Sequence, residues 1–259
     1  MQHKKTYSIR TWLQFILPGV LFLIALQYTL LSIISVHQLV TTVSTGSDFQ
    51  PSFDEINDTT WLNLYKEKTW LESRLRLAKT DSISLSINLK DSLMQLELKG
   101  VVLKSSKIID SKSDRFFSML SPTAYHYYFG TEATGENTKS TIEKMPIILK
   151  KAPKDSIEYA NQNSIPESSI NEEVHWILEL NNGIVLQIEG TAESGKQKKK
   201  WRNSFWLKQN FYRIKTELRE TLQFNVPEYN PTISFIVAEP DAKAIYRALP
   251  EKPLVCIRF

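Results

Sequence analysis

"SISLSINLKDSLMQLELKG", residues 82–100, decides the fold class. Ile83, Leu85, Ile87 and Leu89 alternate with Ser82, Ser84, Ser86 and Asn88. After the polar "KDS" at 90–92, Met94, Leu96 and Leu98 alternate with Gln95, Glu97 and Lys99. Successive strand side chains point to opposite faces, so two period-two runs around a short turn predict a β-hairpin with one buried face.

The pattern returns in "EVHWILELNNGIVLQIEG", residues 173–190. Val174, Trp176, Leu178 and Leu180 share a side, and the "NNG" at 181–183 supplies the Asn-Gly turn that tight hairpins favour. Other features recur with it. "MPIILKKAPKDSIEYA" (145–160) and "ISFIVAEPDAKAIYRALP" (233–250) both read as an apolar strand, a proline, an aspartate and a short helical pattern. Gly100 and Gly190 are 90 apart, and Pro153 and Pro240 are 87 apart. "RFFSML" (115–120) and "SFWLKQ" (204–209) follow their glycines at comparable distances. These anchors predict two similar β-rich units of roughly 85–90 residues, either tandem domains or two halves of one pseudo-symmetric domain; the period is longer than solenoid repeats. The expected fold class is α+β and β-rich, with a first unit at 81–170 and a second at 171–259.

The N-terminal part has another character. No Asp, Glu, Lys or Arg occurs between Arg10 and Asp48, and "WLQFILPGVLFLIALQYTLLSIISV" (12–36) is almost wholly apolar. A helix of that length is about 37 Å long, enough to cross a hydrocarbon core of about 30 Å. Lys4, Lys5 and Arg10 precede it, while Asp48, Asp54, Glu55 and Asp58 follow it. The positive-inside rule then predicts a cytoplasmic tail at 1–10, a transmembrane helix at 11–36 and an exported body. The apolar run is longer than a cleavable signal's core. One cysteine excludes an internal disulfide framework, which favours a bacterial inner membrane with a periplasmic body over a secreted eukaryotic domain. Residues 37–56 read as a polar stalk. They lead to an amphipathic juxtamembrane helix within 37–80 whose Trp61, Leu64, Leu71, Leu75 and Ala78 keep heptad spacing, interrupted by Lys68. That stripe fits packing on its own domain or a short coiled-coil stem between two copies.

Catalytic signatures are missing. His3, His37, His126 and His175 have no metal-ligand spacing, so no metal and no cofactor are expected. The C-terminal "VCIRF" shares Cys-Ile-Arg with the Ser-His-Gly-Cys-Ile-Arg box of periplasmic L,D-transpeptidases. Pro253, Leu254 and Val255 stand where the His-Gly pair would be, so Cys256 lacks an activating base and reads as a buried strand residue. Net charge is +4, with acidic and basic residues interspersed, which is not a nucleic-acid footprint.

Two stretches could bind a partner. "GKQKKKWRNSFWLKQNFYR" (195–213) places Lys198, Lys199, Lys200 and Arg202 beside Trp201 and Trp206, a mixture suited to an anionic polymer or a protein surface. Leu207, Phe211, Ile214, Leu218 and Leu222 follow as the expected core stripe of a helix. "SPTAYHYYFG" (121–130) is an aromatic contact patch or core under a loop, and 130–144 reads as a mobile loop. The layout resembles that of inner-membrane subunits of bacterial secretion machines, in architecture and not in any motif. The expectation is a non-catalytic, membrane-anchored assembly subunit that binds other envelope proteins or itself. The alternative is an anchored cell-wall-binding protein or enzyme.

Overall fold

A computed structural model describes residues 9–45, 59–144, 174–191 and 199–259. Its helices are α1 (Ile9–Thr45), α2 (Thr59–Leu77), α3 (Arg115–Ser118), α4 (Pro122–Phe129), α5 (Lys199–Leu222) and α6 (Glu239–Ala248). Its strands are β1 (Ser84–Asn88), β2 (Leu93–Leu98), β3 (Val101–Ser113), β4 (Ala133–Ser140), β5 (His175–Leu180), β6 (Val185–Thr191), β7 (Thr232–Ala238) and β8 (Leu254–Arg258). These strands close into one barrel in the order β1-β2-β3-β7-β6-β5-β4-β8.

The alternation read at 82–100 builds the barrel interior. Leu85 pairs with Leu96 and with Val255, and Ile87 pairs with Met94 and with Ile257. On the opposite wall Trp176 faces Ile188, Leu178 faces Leu186, and Ile188 lies beside Phe235. Trp176, Leu186, Ile188 and Phe235 are fully buried. The two segments 81–170 and 171–259 therefore contribute strands to one wall and side chains to one core. Gly135 lies on the interior, where a Cβ would come within 2.7 Å of Leu178 Cδ1 and 2.8 Å of Pro253.

Aromatic side chains fill one end, where β3 and β8 finish. Phe117 lies 5.1 Å from Phe259 and 6.0 Å from Phe129, and Phe116 meets Tyr128 edge-on at 5.4 Å. The stretch 121–130 is thus core: Tyr125, Tyr128 and Phe129 are buried on α4, with only Tyr127 exposed among its larger side chains. At the other end α6 packs on β6 and β7.

Several expectations require correction. The mobile loop expected at 130–144 contains β4, whose backbone pairs with β5 and β8 despite a polar sequence. The stalk expected from residue 37 is helical through Thr45, because α1 runs on unbroken. Its Val43 enters the body's core at 1% exposure, with Leu39 packed against it. On α2 the heptad stripe does not face the body. Trp70, Ser73 and Leu77 do, leaving Leu64, Leu71 and Leu75 exposed.

The expected equivalence of the hairpins holds in ring order only and is otherwise unconfirmed. Exchanging β1–β4 with β5–β8 preserves the ring order but not the strand sense. β1 runs parallel to β8 while β5 runs antiparallel to β4, and β2–β3 is antiparallel while β6–β7 is parallel. The anchor glycines also differ. Gly100, at φ +79°, forms the tight turn between β2 and β3. Gly190 lies within β6, where a Cβ would sit 3.0 Å from the Glu239 backbone. "RFFSML" contributes the buried Phe116 and Phe117 to the aromatic cap, whereas "SFWLKQ" lies inside the long α5. The tail at 145–160 falls outside the described residues.

Candidate functional site

α5 begins beside the barrel end opposite the aromatic cap. There Phe205 stacks on His175 at 5.9 Å, and Trp206 packs against the same ring at 5.9 Å. The helix then follows the outer wall of β5 and β6 and finishes against α1. Gln27 Nε2 donates to the Thr221 carbonyl at 2.6 Å, and Tyr28 Oη donates to Glu217 Oε2 at 2.7 Å. That junction lies about 24 Å along α1 from Val43, at about 1.5 Å per residue. α1 and α5 are therefore two antiparallel legs on one side of the barrel.

Between the legs and the wall lies an open cleft of about 1160 Å³. Ser32, Ser35 and Val36 line it from α1; Gln209, Arg213 and Glu217 line it from α5. The wall contributes Glu136, Lys139, Glu179 and Gln187, and the approach to β7 contributes Glu228 and Tyr229. Carboxylates outnumber cations there, and part of that charge is internally matched. Lys139 reaches Glu179 at 2.7 Å, and Arg213 lies 3.5 Å from Glu217. Asp114 accepts from the Thr232 backbone N–H at 2.8 Å and from Tyr229 Oη at 3.3 Å. Burial, with the nearby Asp114 charge, pushes the Tyr229 phenol up to about 12.

The binding residues expected from sequence fall at the start of α5. Lys199, Lys200, Trp201 and Arg202 lie in its first turns; Lys198 is outside the described residues. Trp206 is half-buried against His175 and Phe205, so its indole serves local packing. The stripe expected to be core is exposed: Leu207 at 65%, Phe211 at 67% and Leu222 at 59%, with Ile214 and Leu218 also exposed. Sequence reasoning missed the cleft. Its one signal was the polar pair Gln27–Tyr28 inside an apolar run, since polar groups there call for partners.

On the far side, α2 covers a second polar cluster. Two guanidinium groups lie over the Trp70 ring, Arg74 at 4.8 Å and Arg258 at 5.2 Å. Arg74 Nη2 reaches the buried Glu97 at 2.9 Å, and Arg258 reaches Glu67 at 3.3 Å. Cys256 sits beneath at 2% exposure, next to Ser86 in the β1–β8 register. Burial pushes its thiol from an ordinary 9.0 up to about 12, so the group is held protonated and covered, unlike an activated nucleophile. Among the described residues no three His, Cys, Asp or Glu side chains are placed to hold a metal ion. No known protein family, curated protein or solved structure matches the chain.

Proposed function

We propose that the chain is a single-pass envelope protein whose barrel is a non-catalytic assembly subunit held on the exported face of a bacterial inner membrane. One helix, Ile16–Val43, is long and apolar enough to cross a bilayer, with a mean hydropathy of 2.1. The observation that carries the proposal is the junction between that helix and the body. Val43 is buried in the barrel's core cluster, and Tyr28 and Gln27 bond to α5, so anchor and body form one rigid unit. A subunit that must present a fixed face to neighbours gains from such coupling, because its orientational freedom is already spent before binding.

The partner surface in this proposal includes the start of α5, with Trp201 and Arg202 beside the lysine run. Mild-detergent co-purification followed by mass spectrometry tests it. Replacing Trp201 and Arg202 by alanine should remove the partner at unchanged body stability, each true anchor costing about 2 kcal/mol, near thirtyfold in affinity. Unchanged co-purification would reject this surface.

The cleft favours a second reading, an anchored binder of cell-wall polymer. Its volume and its carboxylates Glu136, Glu179 and Glu228 suit a hydroxyl- and amine-bearing glycopeptide. Saturable binding of soluble peptidoglycan fragments, lost in Glu179→Gln, would select it over the subunit.

A further inference from the structure

On the reading that α1 crosses the bilayer, we infer that the C-terminal end of α5 and the turn after it insert into the outer leaflet of that membrane. Arg10 is the last charge before the apolar run. A hydrocarbon core of about 30 Å takes about 20 helical residues of the segment 11–36, so the span leaves the core between about Leu31 and Val36. The contacts of Gln27 with Thr221 and of Tyr28 with Glu217 set the depth of α5. They lie about 5–13 Å below that boundary, at about 1.5 Å per residue. The tip of α5 must sit at the same depth.

Its surface chemistry fits. Leu218, Leu222, Phe224 and Val226 are exposed there, Phe224 at 78%. The polar side of the same segment faces α1, where Glu217 receives the Tyr28 hydroxyl and lies 3.5 Å from Arg213. At the junction Gln27, Tyr28 and Glu217 are paired, and Leu222 and Phe224 are exposed beside them, as are Arg219 and Gln223. Of the seven Lys or Arg over 199–222, Lys199, Lys200 and Arg202 lie at the far end of the helix, and near the tip Arg213, Lys215 and Arg219 stand beside Glu217 and Glu220. α5 runs antiparallel to α1 and does not lie in the interface plane, so only its tip and the turn after it enter the leaflet, to the depth that the α1 contacts set. The occupant of this face is lipid. A second copy of the chain is the competing occupant.

Spin labels on single cysteines test this in the full-length protein, in a Cys256→Ser background. The vesicles contain equal parts of phosphatidylglycerol and phosphatidylcholine. Labels at Leu222→Cys and Phe224→Cys should be open to oxygen and shielded from a water-soluble nickel complex, at a depth of about 5–13 Å. A label at Leu64→Cys should read as aqueous, and one at Leu23→Cys as deep in the bilayer. Aqueous readings at 222 and 224 with a deep reading at 23 would overturn the insertion and leave the anchor standing. An aqueous reading at 23 would overturn the anchor itself. Shielding of 222 and 224 from both reagents, with spin–spin broadening, would place a second copy there and also overturn the insertion.

Discussion

Trp70→Ala should uncover Cys256. Trp70 is 7% exposed and belongs, with Leu77 and Cys256, to a small cluster outside the barrel core. An indole buries about 200 Å², worth about 5 kcal/mol at about 25 cal/mol per Å², and residual compactness of the unfolded chain trims that to about 4 kcal/mol. The two guanidinium contacts add about 0.5–1 kcal/mol each, and the retained methyl with partial collapse returns a similar amount. The net loss is about 4 kcal/mol, and it falls first on the docking of α2 because the cluster is separate from the interior. At about 1.4 kcal/mol per tenfold change, the undocked population rises up to about a thousandfold. The assay is the rate at which Cys256 reacts with a disulfide reagent near neutral pH, in the full chain in mild detergent. The wild type should react very slowly, since the thiol is both covered and held protonated by burial. Trp70→Ala should react faster by two to three orders of magnitude, and Trp70→Phe should stay close to wild type. If Cys256 in Trp70→Ala stays as slow as in the wild type while circular dichroism shows the barrel intact, Trp70 does not hold the cover and the reasoning is wrong.

Phe235→Ala, at a fully buried interior position, should cost about 3–5 kcal/mol in urea unfolding, whereas Leu207→Ala, 65% exposed on α5, should stay within about 0.5 kcal/mol. Equal losses would mean that the α5 stripe is core after all. The tyrosines set an alkaline limit. Burial pushes Tyr125 and Tyr229 from an ordinary 10.0 up to about 12, so the folded state holds their protons more tightly than the unfolded chain does. That contribution is fully present below pH 10.0 and is lost as pH rises through 10.0 toward about 12. The urea midpoint should fall across that window and recover in part when Tyr229→Phe removes one titrating group; a midpoint that does not move would contradict the burial.

The strands at 84–98 and 175–188 were legible because period two survives wherever one face is buried. Even there the outer face was misread. Ser84 and Ser86 look solvent-facing in the sequence, yet both are buried. Cys256 was legible as a buried strand residue, since its apolar neighbours and missing base left no other role. β4 was not legible, because "ATGENTKS" has little strand propensity; its pairing with β5 and β8 comes from the closing barrel, a tertiary effect that overrides local preference. The apparent duplication is not confirmed, for a related reason. A glycine after an alternating run serves as a turn at Gly100 and as room for α6 at Gly190, and the letters are the same.

The helix stripes carry the larger lesson. Leu64, Leu71 and Leu75 on α2, and Leu207, Phe211 and Leu222 on α5, are spaced as core residues are, yet all face outward. Periodicity reports that an apolar face wants cover; it does not say whether the cover belongs to the same chain. Here the barrel fills its own interior with strand residues and leaves both helices able to turn apolar faces elsewhere. In the proposed orientation the rigid α1 junction fixes where those faces point. The end of α5 points at lipid, and the α2 stripe lies on the other side of the body from the cleft. A partner that covers α2 therefore meets a surface already oriented by the membrane, and its affinity depends on contact chemistry more than on the entropy of aligning two freely tumbling bodies.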